Sequence, residues 1–196
     1  MLVSYTAIGC AITTITYIFL CHLILKGGVV QNFTSWILWA ILDIILAAAV
    51  ISQGGNWPFI VTYILGCLTV ASVVYKTSII KWTWYEYSVT FLVILCMMVW
   101  AVSGAKIATI AGTIAVIIAG IPQLIDVWRK PEKNSIFIYC GFFIGNIFST
   151  AAGKDWSIEE RFYPVSMVIC CFFFMIGISR KYFPSYRSKN LLKIQR

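Results

Sequence analysis

Apolar runs of about one membrane thickness recur along the chain, and this repetition constrains the fold more than any other feature. The seven runs span 2–25, 33–53, 57–75, 87–103, 106–128, 135–152 and 162–179. A helix needs about 20 residues to cross about 30 Å of hydrocarbon, and each run approaches that length. The breaks between the runs are short and leave no room for a soluble domain. The sequence therefore predicts an all-α polytopic membrane protein with seven transmembrane helices.

Composition supports the same class. Of the 196 residues, 61% are hydrophobic and only 11% are charged, which is far too little charge for a soluble domain of this size. The first run has no basic residue before it and no small-residue cleavage pattern, so it is interpreted as a retained span and not a signal peptide. The seven cysteines lie almost entirely inside apolar runs without zinc or redox spacing, which favours a packing role.

Basic residues are distributed unevenly between the two sides of the predicted membrane. Twelve Lys and Arg residues fall on the side that carries the C-terminus, and three fall on the other. The positive-inside rule therefore predicts an outer N-terminus and a cytoplasmic C-terminus, and we expect the cell (inner) membrane. The formal charge of +8 reflects this bias, so nucleic-acid binding is not expected. The basic tail at 181–196 can contact anionic lipid.

The first three and the last three predicted helices show a weak internal repeat. Asp43 follows Asn32 by 11 residues and Asn146 follows Ser135 by 11, which places both polar side chains roughly 16 Å deep, near the bilayer midplane. The next helix then opens on an aromatic-proline pair in both halves, at 57–58 and 163–164. These features predict a first three-helix bundle at 1–78, a linker helix at 79–104 and a second bundle in the same orientation at 105–180.

A proline interrupts the fifth apolar run. Pro122 lacks the backbone donor that an uninterrupted helix needs, so the dipeptide Pro122-Gln123 predicts a kink. Such breaks are tolerated in lipid only where neighbouring protein or water satisfies the freed groups. The fifth helix is therefore expected to line a cavity.

With Pro122-Gln123 in the fifth helix and Asn146 midway along the sixth, the chain resembles the SWEET and PQ-loop superfamily of seven-helix small-solute transporters. The resemblance covers nearly the whole chain in architecture and implies two parallel three-helix bundles joined by a linker helix, with substrate held between them. It implies that Pro122 and Gln123 form a hinge, that Asn146 faces the substrate and that Asp43 occupies the matching place. The chain departs from the pattern at 18–21, where a second Pro-Gln is expected, and it lacks the four prolines typical of sugar SWEETs.

Asp43 is the strongest single indication of function. A carboxylate at the bilayer centre costs about 2.5–3.5 kcal/mol on insertion scales, so it normally faces a cavity or a partner. One interpretation is a site for a cationic substrate or a transported proton. The other is a protonated or hydrogen-bonded side chain that holds helices together. No Lys or Arg lies at similar depth, which disfavours a permanent ion pair.

Other candidate substrate contacts lie on the same helices. Trp36 and Trp39 precede Asp43 by seven and four residues, so all three share one helical face. The two indoles can stack on a planar or sugar ligand or pack against a neighbouring helix. Asn146 and Gln123 can likewise bind ligand or make structural hydrogen bonds between helices.

These patterns favour transport of a small polar metabolite, such as a sugar or an amino acid, by alternating access around a midplane site, with or without proton coupling. One alternative is a vitamin-precursor transporter of the nicotinamide riboside type, and another is a non-transporting receptor or assembly factor. An enzyme is disfavoured because the chain has a single histidine and no paired midplane carboxylates. No metal or cofactor is expected. The expected partners are a small-molecule substrate and the lipid bilayer; a homo-oligomer is compatible with the pattern but is not needed to complete a pathway.

Overall fold

The computed structural model describes residues 2–77, 84–132 and 135–180, and every regular element in these ranges is an α-helix. The helices are α1 (Leu2–Leu25), α2 (Phe33–Ser52), α3 (Trp57–Thr77), α4 (Trp84–Ala101), α5 (Ala105–Ala119), α6 (Ile121–Arg129), α7 (Ser135–Ala152) and α8 (Ile158–Ser179). The prediction of an all-α fold is confirmed for this part of the chain.

Six helical stretches of the described residues are long and apolar enough to cross a membrane, with α5 and α6 counted as one stretch, Lys106–Arg129. The chain is therefore a multi-pass integral membrane protein. The fourth predicted run corresponds to α4, which is not among the six stretches. The predicted tail at 181–196 and the first residues of the predicted linker, 79–83, lie outside the described residues.

The fifth predicted span is broken where the sequence carries Gly120 and Pro122. The Gly120 N–H donates to the carbonyls of Val116 (3.2 Å) and Ile117 (3.1 Å), so the last turn of α5 tightens before α6 begins. Pro122 has no N–H with which to continue the ladder and lies at the first turn of α6, where proline is well tolerated. The predicted kink is thus a break between two helices.

The helices fall into two groups, α1–α3 and α5–α8, which we call the two halves. In the first half α3 contacts both α1 and α2, and in the second half α8 contacts both α7 and the α5–α6 pair. The halves meet where α1 packs on α7 and α2 packs on α5, while α4 packs against α5 and α6.

Small residues allow a close contact between α1 and α7. A methyl group added at Gly141 would overlap Thr16, and one added at Gly145 would overlap Thr13. Thr16 donates instead to the carbonyl of Ile12 on its own helix at 2.8 Å. This small-residue face brings the two backbones together, as is usual for helices packed in lipid.

Candidate functional site

The two halves enclose a cavity of about 140 Å³. Its walls come from α1, α2, α3, α5, α6, α7 and α8, so both halves contribute. The aromatic residues that line it are Tyr17, Trp36, Trp39, Tyr63, Tyr139, Phe142, Tyr163, Phe173 and Phe174. The remaining lining residues are small or aliphatic apart from Asp43 and three cysteines, Cys67, Cys170 and Cys171. The cavity is therefore an aromatic chamber with one carboxyl group.

Asp43 is 1% exposed and belongs to the wall of this cavity. Its Oδ1 accepts a hydrogen bond of 3.0 Å from the hydroxyl of Tyr163 on α8. Its Oδ2 is buried and has no hydrogen-bond partner in the part of the chain that the structure describes. The carboxyl group thus joins α2 to the opposite half of the molecule and keeps one oxygen uncommitted.

Asn146 makes the matching contact in the reverse direction. Its Nδ2 donates to the hydroxyl of Tyr63 on α3 at 2.6 Å, and also to the carbonyl of Phe142 one turn earlier at 2.8 Å. Asp43 on α2 therefore reaches the third helix of the second half, and Asn146 on α7 reaches the third helix of the first half. The two polar groups therefore make a reciprocal pair of contacts between α2 and α8 and between α7 and α3.

The two tyrosines that receive these contacts touch each other. The rings of Tyr63 and Tyr163 lie edge to face, with centroids 6.1 Å apart. Tyr17 packs edge to face against Tyr63 at 5.9 Å and against Trp36 at 6.0 Å. These separations lie within the range of favourable aromatic pairs. The side chains from Asp43 to Asn146 therefore form one continuous cluster across the interface between the halves.

Both predicted tryptophans line the cavity beside Asp43, and each indole N–H has a partner. Trp36 donates to Oε1 of Gln31 at 3.1 Å. Trp39 donates to the carbonyl of Val116 at 2.8 Å, in the last turn of α5. A methyl group added at Gly120 would lie 2.9 Å from the ring of Trp39, so the glycine makes room for the indole. Trp39 is thus packed against the break between α5 and α6.

The structure separates two predicted site residues from the cavity. Among the described residues, neither Asn146 nor Gln123 lines it. The Asn146 amide bonds to the hydroxyl of Tyr63, which does line the cavity, and Gln123 lies on α6 between the lining residues Ile121 and Leu124. Gln123 is fully buried, and its Oε1 accepts from the backbone N–H of Asn32 at 2.6 Å. Pro122, one residue before it, is buried at the start of α6. Contact of Asn146 and Gln123 with a substrate stays a prediction.

Gln123 takes part in a polar link between the halves, which we name the Asn32 bridge. Besides the bond to Gln123, the Asn32 side chain donates to Asp126 Oδ2 at 3.4 Å. The backbone N–H of Val30 donates to Glu132 Oε2 at 2.8 Å. This bridge joins the segment before α2 to α6 and the segment after it, on the predicted cytoplasmic side.

A second polar link joins the halves at the opposite end, and we name it the Lys154 bridge. Lys154 Nζ donates to the carbonyl of Gly54 at 2.8 Å and lies 3.8 Å from Oε1 of Glu160. Glu160 is buried and also accepts from the Lys154 backbone N–H at 3.2 Å. Gly54 is in the left-handed region (φ +70°), which favours glycine in this tight α2–α3 turn. The cavity thus lies between two bridges.

Sequence reasoning missed the tyrosines. In the sequence Tyr163 stands out only as half of an aromatic-proline pair predicted to open a helix, whereas α8 begins five residues earlier, at Ile158. Tyr63 gives no signal among the ten tyrosines, and alignment of the two aromatic-proline pairs matches Tyr163 with Trp57 instead. Within the described residues, no group of three or more His, Cys, Asp or Glu side chains could hold a metal ion.

The chain was also compared with known proteins. No family model, curated protein or solved structure matches it. The features that bear on function are therefore the cavity, the reciprocal tyrosine contacts and the two bridges.

Proposed function

We propose that the chain is a transporter of a small polar metabolite, such as a sugar, an amino acid or a similar solute, and that it works by alternating access around the aromatic cavity. The observation that carries this proposal is the position of Asp43, a buried carboxyl group with one uncommitted oxygen in a cavity walled by both halves of the molecule. Ionisable groups at membrane depth are costly and usually mark a substrate or ion pathway.

The order of helix contacts supports the finer architecture of this proposal. The third helix of each half lies against the other two, and the halves meet through equivalent pairs, the first helix of one with the second of the other. This pattern is expected for two parallel three-helix bundles at 1–78 and 105–180 with a linker helix between them. It also fits the resemblance to the SWEET and PQ-loop superfamily.

The two bridges act as the gates of this transporter, one at each end of the cavity. Opening the cavity to either side requires one bridge to separate while the other remains closed. The break at Gly120 and Pro122 offers a hinge, because α6 carries Gln123 of the Asn32 bridge and can move relative to α5 without breaking an intact helix ladder. Rocking of one bundle against the other around the cavity follows.

The aromatic walls favour one alternative within the same class. Nine of the nineteen residues that line the cavity are aromatic, which suits stacking on a planar ring. A transporter of a vitamin precursor of the nicotinamide riboside type would use Trp36 and Trp39 in this way. Competition of uptake by nucleosides but not by sugars would favour this alternative.

The proposal is tested with purified protein in proteoliposomes and a panel of radiolabelled sugars, amino acids, nucleosides and amines. We expect protein-dependent uptake of at least one solute and a loss of at least tenfold in the double variant D43N/N146A. D155N removes the same charge from an exposed residue outside the cavity and should leave uptake at the wild-type rate. Unchanged uptake in the double variant, or ligand binding without flux for every solute that binds, would overturn the transport proposal. The second result would favour the non-transporting receptor.

A further inference from the structure

The chemistry of the cavity restricts its ligand further than transport of a polar solute requires. Asp43 is the sole charged side chain among the nineteen residues that line it, and no Lys, Arg or His shares the wall. The single hydrogen bond that it accepts comes from a neutral hydroxyl, which leaves its negative charge unpaired when it is ionised. A bound cation is the natural partner of such a group.

The walls indicate which kind of cation this is. Aromatic faces attract a cation through their quadrupole, and an interaction of this type reaches about 2 kcal/mol or more in a desolvated site. A metal ion would instead need several oxygen ligands at close range. Three of the four lining tyrosines already direct their hydroxyls at Asp43, Asn146 or Cys67, so little oxygen is left to replace a hydration shell. An organic cation fits this lining, and a bare metal ion does not.

Hydrogen bonding distinguishes one organic cation from another. The buried Oδ2 of Asp43 has no donor among the described residues, and an unsatisfied buried acceptor costs about 1–3 kcal/mol. A protonated amine supplies an N–H to this oxygen, whereas a quaternary ammonium ion has no hydrogen to give. A carboxylate on the ligand would meet no basic side chain in the cavity and would be repelled by Asp43.

The volume limits the body of the ligand. At about 140 Å³ the cavity is close to the engineered 150 Å³ protein cavity that accepts benzene. One small ring or a short branched chain therefore fits beside the carboxyl group.

From these features we infer that the site takes a small protonated amine with an apolar or aromatic body and without a carboxylate. The ammonium group donates to Oδ2 of Asp43, and the body lies among the faces of Trp36, Trp39 and the tyrosines. This inference rests on the proposed function, since it names the substrate class of the same cavity.

The test is calorimetric titration of the detergent-purified full chain at neutral pH with four matched probes. Benzylamine carries the predicted charge and ring, benzyl alcohol lacks the charge, benzyltrimethylammonium lacks the N–H, and phenylalanine adds a carboxylate. We expect benzylamine to bind at least tenfold more tightly than each of the other three. The ranking is measured on the wild-type protein, so it does not depend on whether a variant folds.

Two variants assign the effect to the carboxyl group. D43N keeps the shape of the side chain and should weaken benzylamine at least tenfold while leaving benzyl alcohol within twofold. D155N, the matched change on the exposed loop, should leave the affinity for both probes unaltered. Benzylamine affinity that is equal in D43N and wild type would overturn the inference.

Uptake of the same probes in proteoliposomes, corrected for protein-free vesicles, separates this inference from the proposed function. Tight binding of benzylamine without protein-dependent flux of any solute would retain the amine site and overturn transport. Flux of a sugar or a zwitterionic amino acid, with benzylamine unbound, would retain transport and overturn the amine site.

Discussion

At the scale of single residues, two tyrosines and two midplane polar groups decide how the halves of the molecule are joined. Asp43 and Asn146 occupy equivalent positions, yet their surroundings differ. The Asn146 amide has a second acceptor in the carbonyl of Phe142, whereas Asp43 accepts one bond, from Tyr163. Each group keeps one buried oxygen without a partner among the described residues, Oδ2 of Asp43 and Oδ1 of Asn146. The Asn146 Nδ2 has two acceptors, however, and of the two side chains only Asp43 lines the cavity.

This difference predicts unequal effects of two tyrosine-to-phenylalanine changes. Y163F removes the donor from a buried carboxyl group and should lower the free energy of unfolding by about 1–3 kcal/mol. Y63F leaves the Asn146 amide bonded to Phe142, and its cost should be closer to the average of about 0.6 kcal/mol for hydrogen bonds between membrane helices. Chemical unfolding of both variants in detergent micelles shows which one loses more free energy of unfolding. A larger loss in Y63F would contradict this account of the site.

Sequence analysis identified Asp43, Trp36 and Trp39 because a carboxylate in an apolar run is rare and helical spacing places the two indoles beside it. It could not find Tyr63 or Tyr163, because a tyrosine in an apolar helix can equally face lipid, the interface or the core. The substrate-facing role of Asn146 is implied by the resemblance and not by spacing. The bond from its amide to Tyr63 of α3 is a contact between helices that spacing within one helix does not encode.

At the scale of helices, glycines differ in how much space surrounds them, and the tightest ones allow neighbouring helices to approach closely. At Gly141 on α7 an added methyl group would overlap Thr16 of α1. At Gly112 on α5 the nearest atom would be a Leu46 methyl at 3.6 Å, which is ordinary contact. Two glycines within helices therefore offer a matched comparison.

We expect G141A to destabilise the protein by about 1–3 kcal/mol, because overpacking forces α1 and α7 apart. G112A should be neutral or stabilising by up to about 1 kcal/mol, because alanine is the better helix former and the space is open. Thermal unfolding of the two variants in the same detergent gives the comparison. Equal shifts in midpoint would show that the α1–α7 contact is looser than the structure has it.

The break between α5 and α6 allows a second comparison of this kind. P122A restores a backbone N–H that can bond to the carbonyl of Ile118 and join the two helices into one. We expect uptake in P122A to slow at least threefold, because the hinge is stiffened. The unfolding temperature should be unchanged or higher, because no contact is lost. P58A, in the first turn of α3, should alter neither property, because proline there replaces no helix bond. Wild-type uptake in P122A would contradict the hinge.

The helices themselves were predictable, and the reason is the solvent. Lipid satisfies no backbone group, so each long apolar run must form a helix. The ends are less predictable, since α8 begins at Ile158, before the charged residues at 159–161 that bound the predicted run. The division of the fifth run was partly predictable, since Pro122 announces a kink. That α5 ends just before Gly120 could not be predicted, because the Trp39 ring that fills the space beside this glycine comes from α2, far away in the sequence.

At the scale of the whole molecule, two bridges join the halves on opposite sides of one cavity. The Lys154 bridge depends on a side chain that is 66% exposed, so its contribution to stability is small. The Asn32 bridge includes a fully buried glutamine, so we expect it to be the stronger of the two. The described arrangement is therefore expected to open more readily at the Lys154 end, which is the predicted outer side.

Cysteines already present in the cavity wall can report such opening. Cys67 and Cys171 are 1% and 4% exposed, so a water-soluble maleimide reaches them only when water enters the cavity. In K154M the donor to Gly54 is lost and the Lys154 bridge weakens. We expect labelling of these two cysteines from the Lys154 side to rise at least threefold, as measured by mass spectrometry of the peptides that contain them.

The control variant is K106M, which removes the same charge from an exposed lysine near the start of α5, on the same predicted side of the membrane. It should label as slowly as the wild type, because Lys106 takes no part in the bridge. A second variant, Q123L, weakens the Asn32 bridge. If the cavity opens at only one end at a time, Q123L shifts the population towards opening at the Asn32 end and should suppress opening at the Lys154 end. Labelling from the Lys154 side that rises in Q123L as it does in K154M would mean that the bridges loosen together. The molecule would then be a channel-like or merely destabilised assembly instead of an alternating-access transporter.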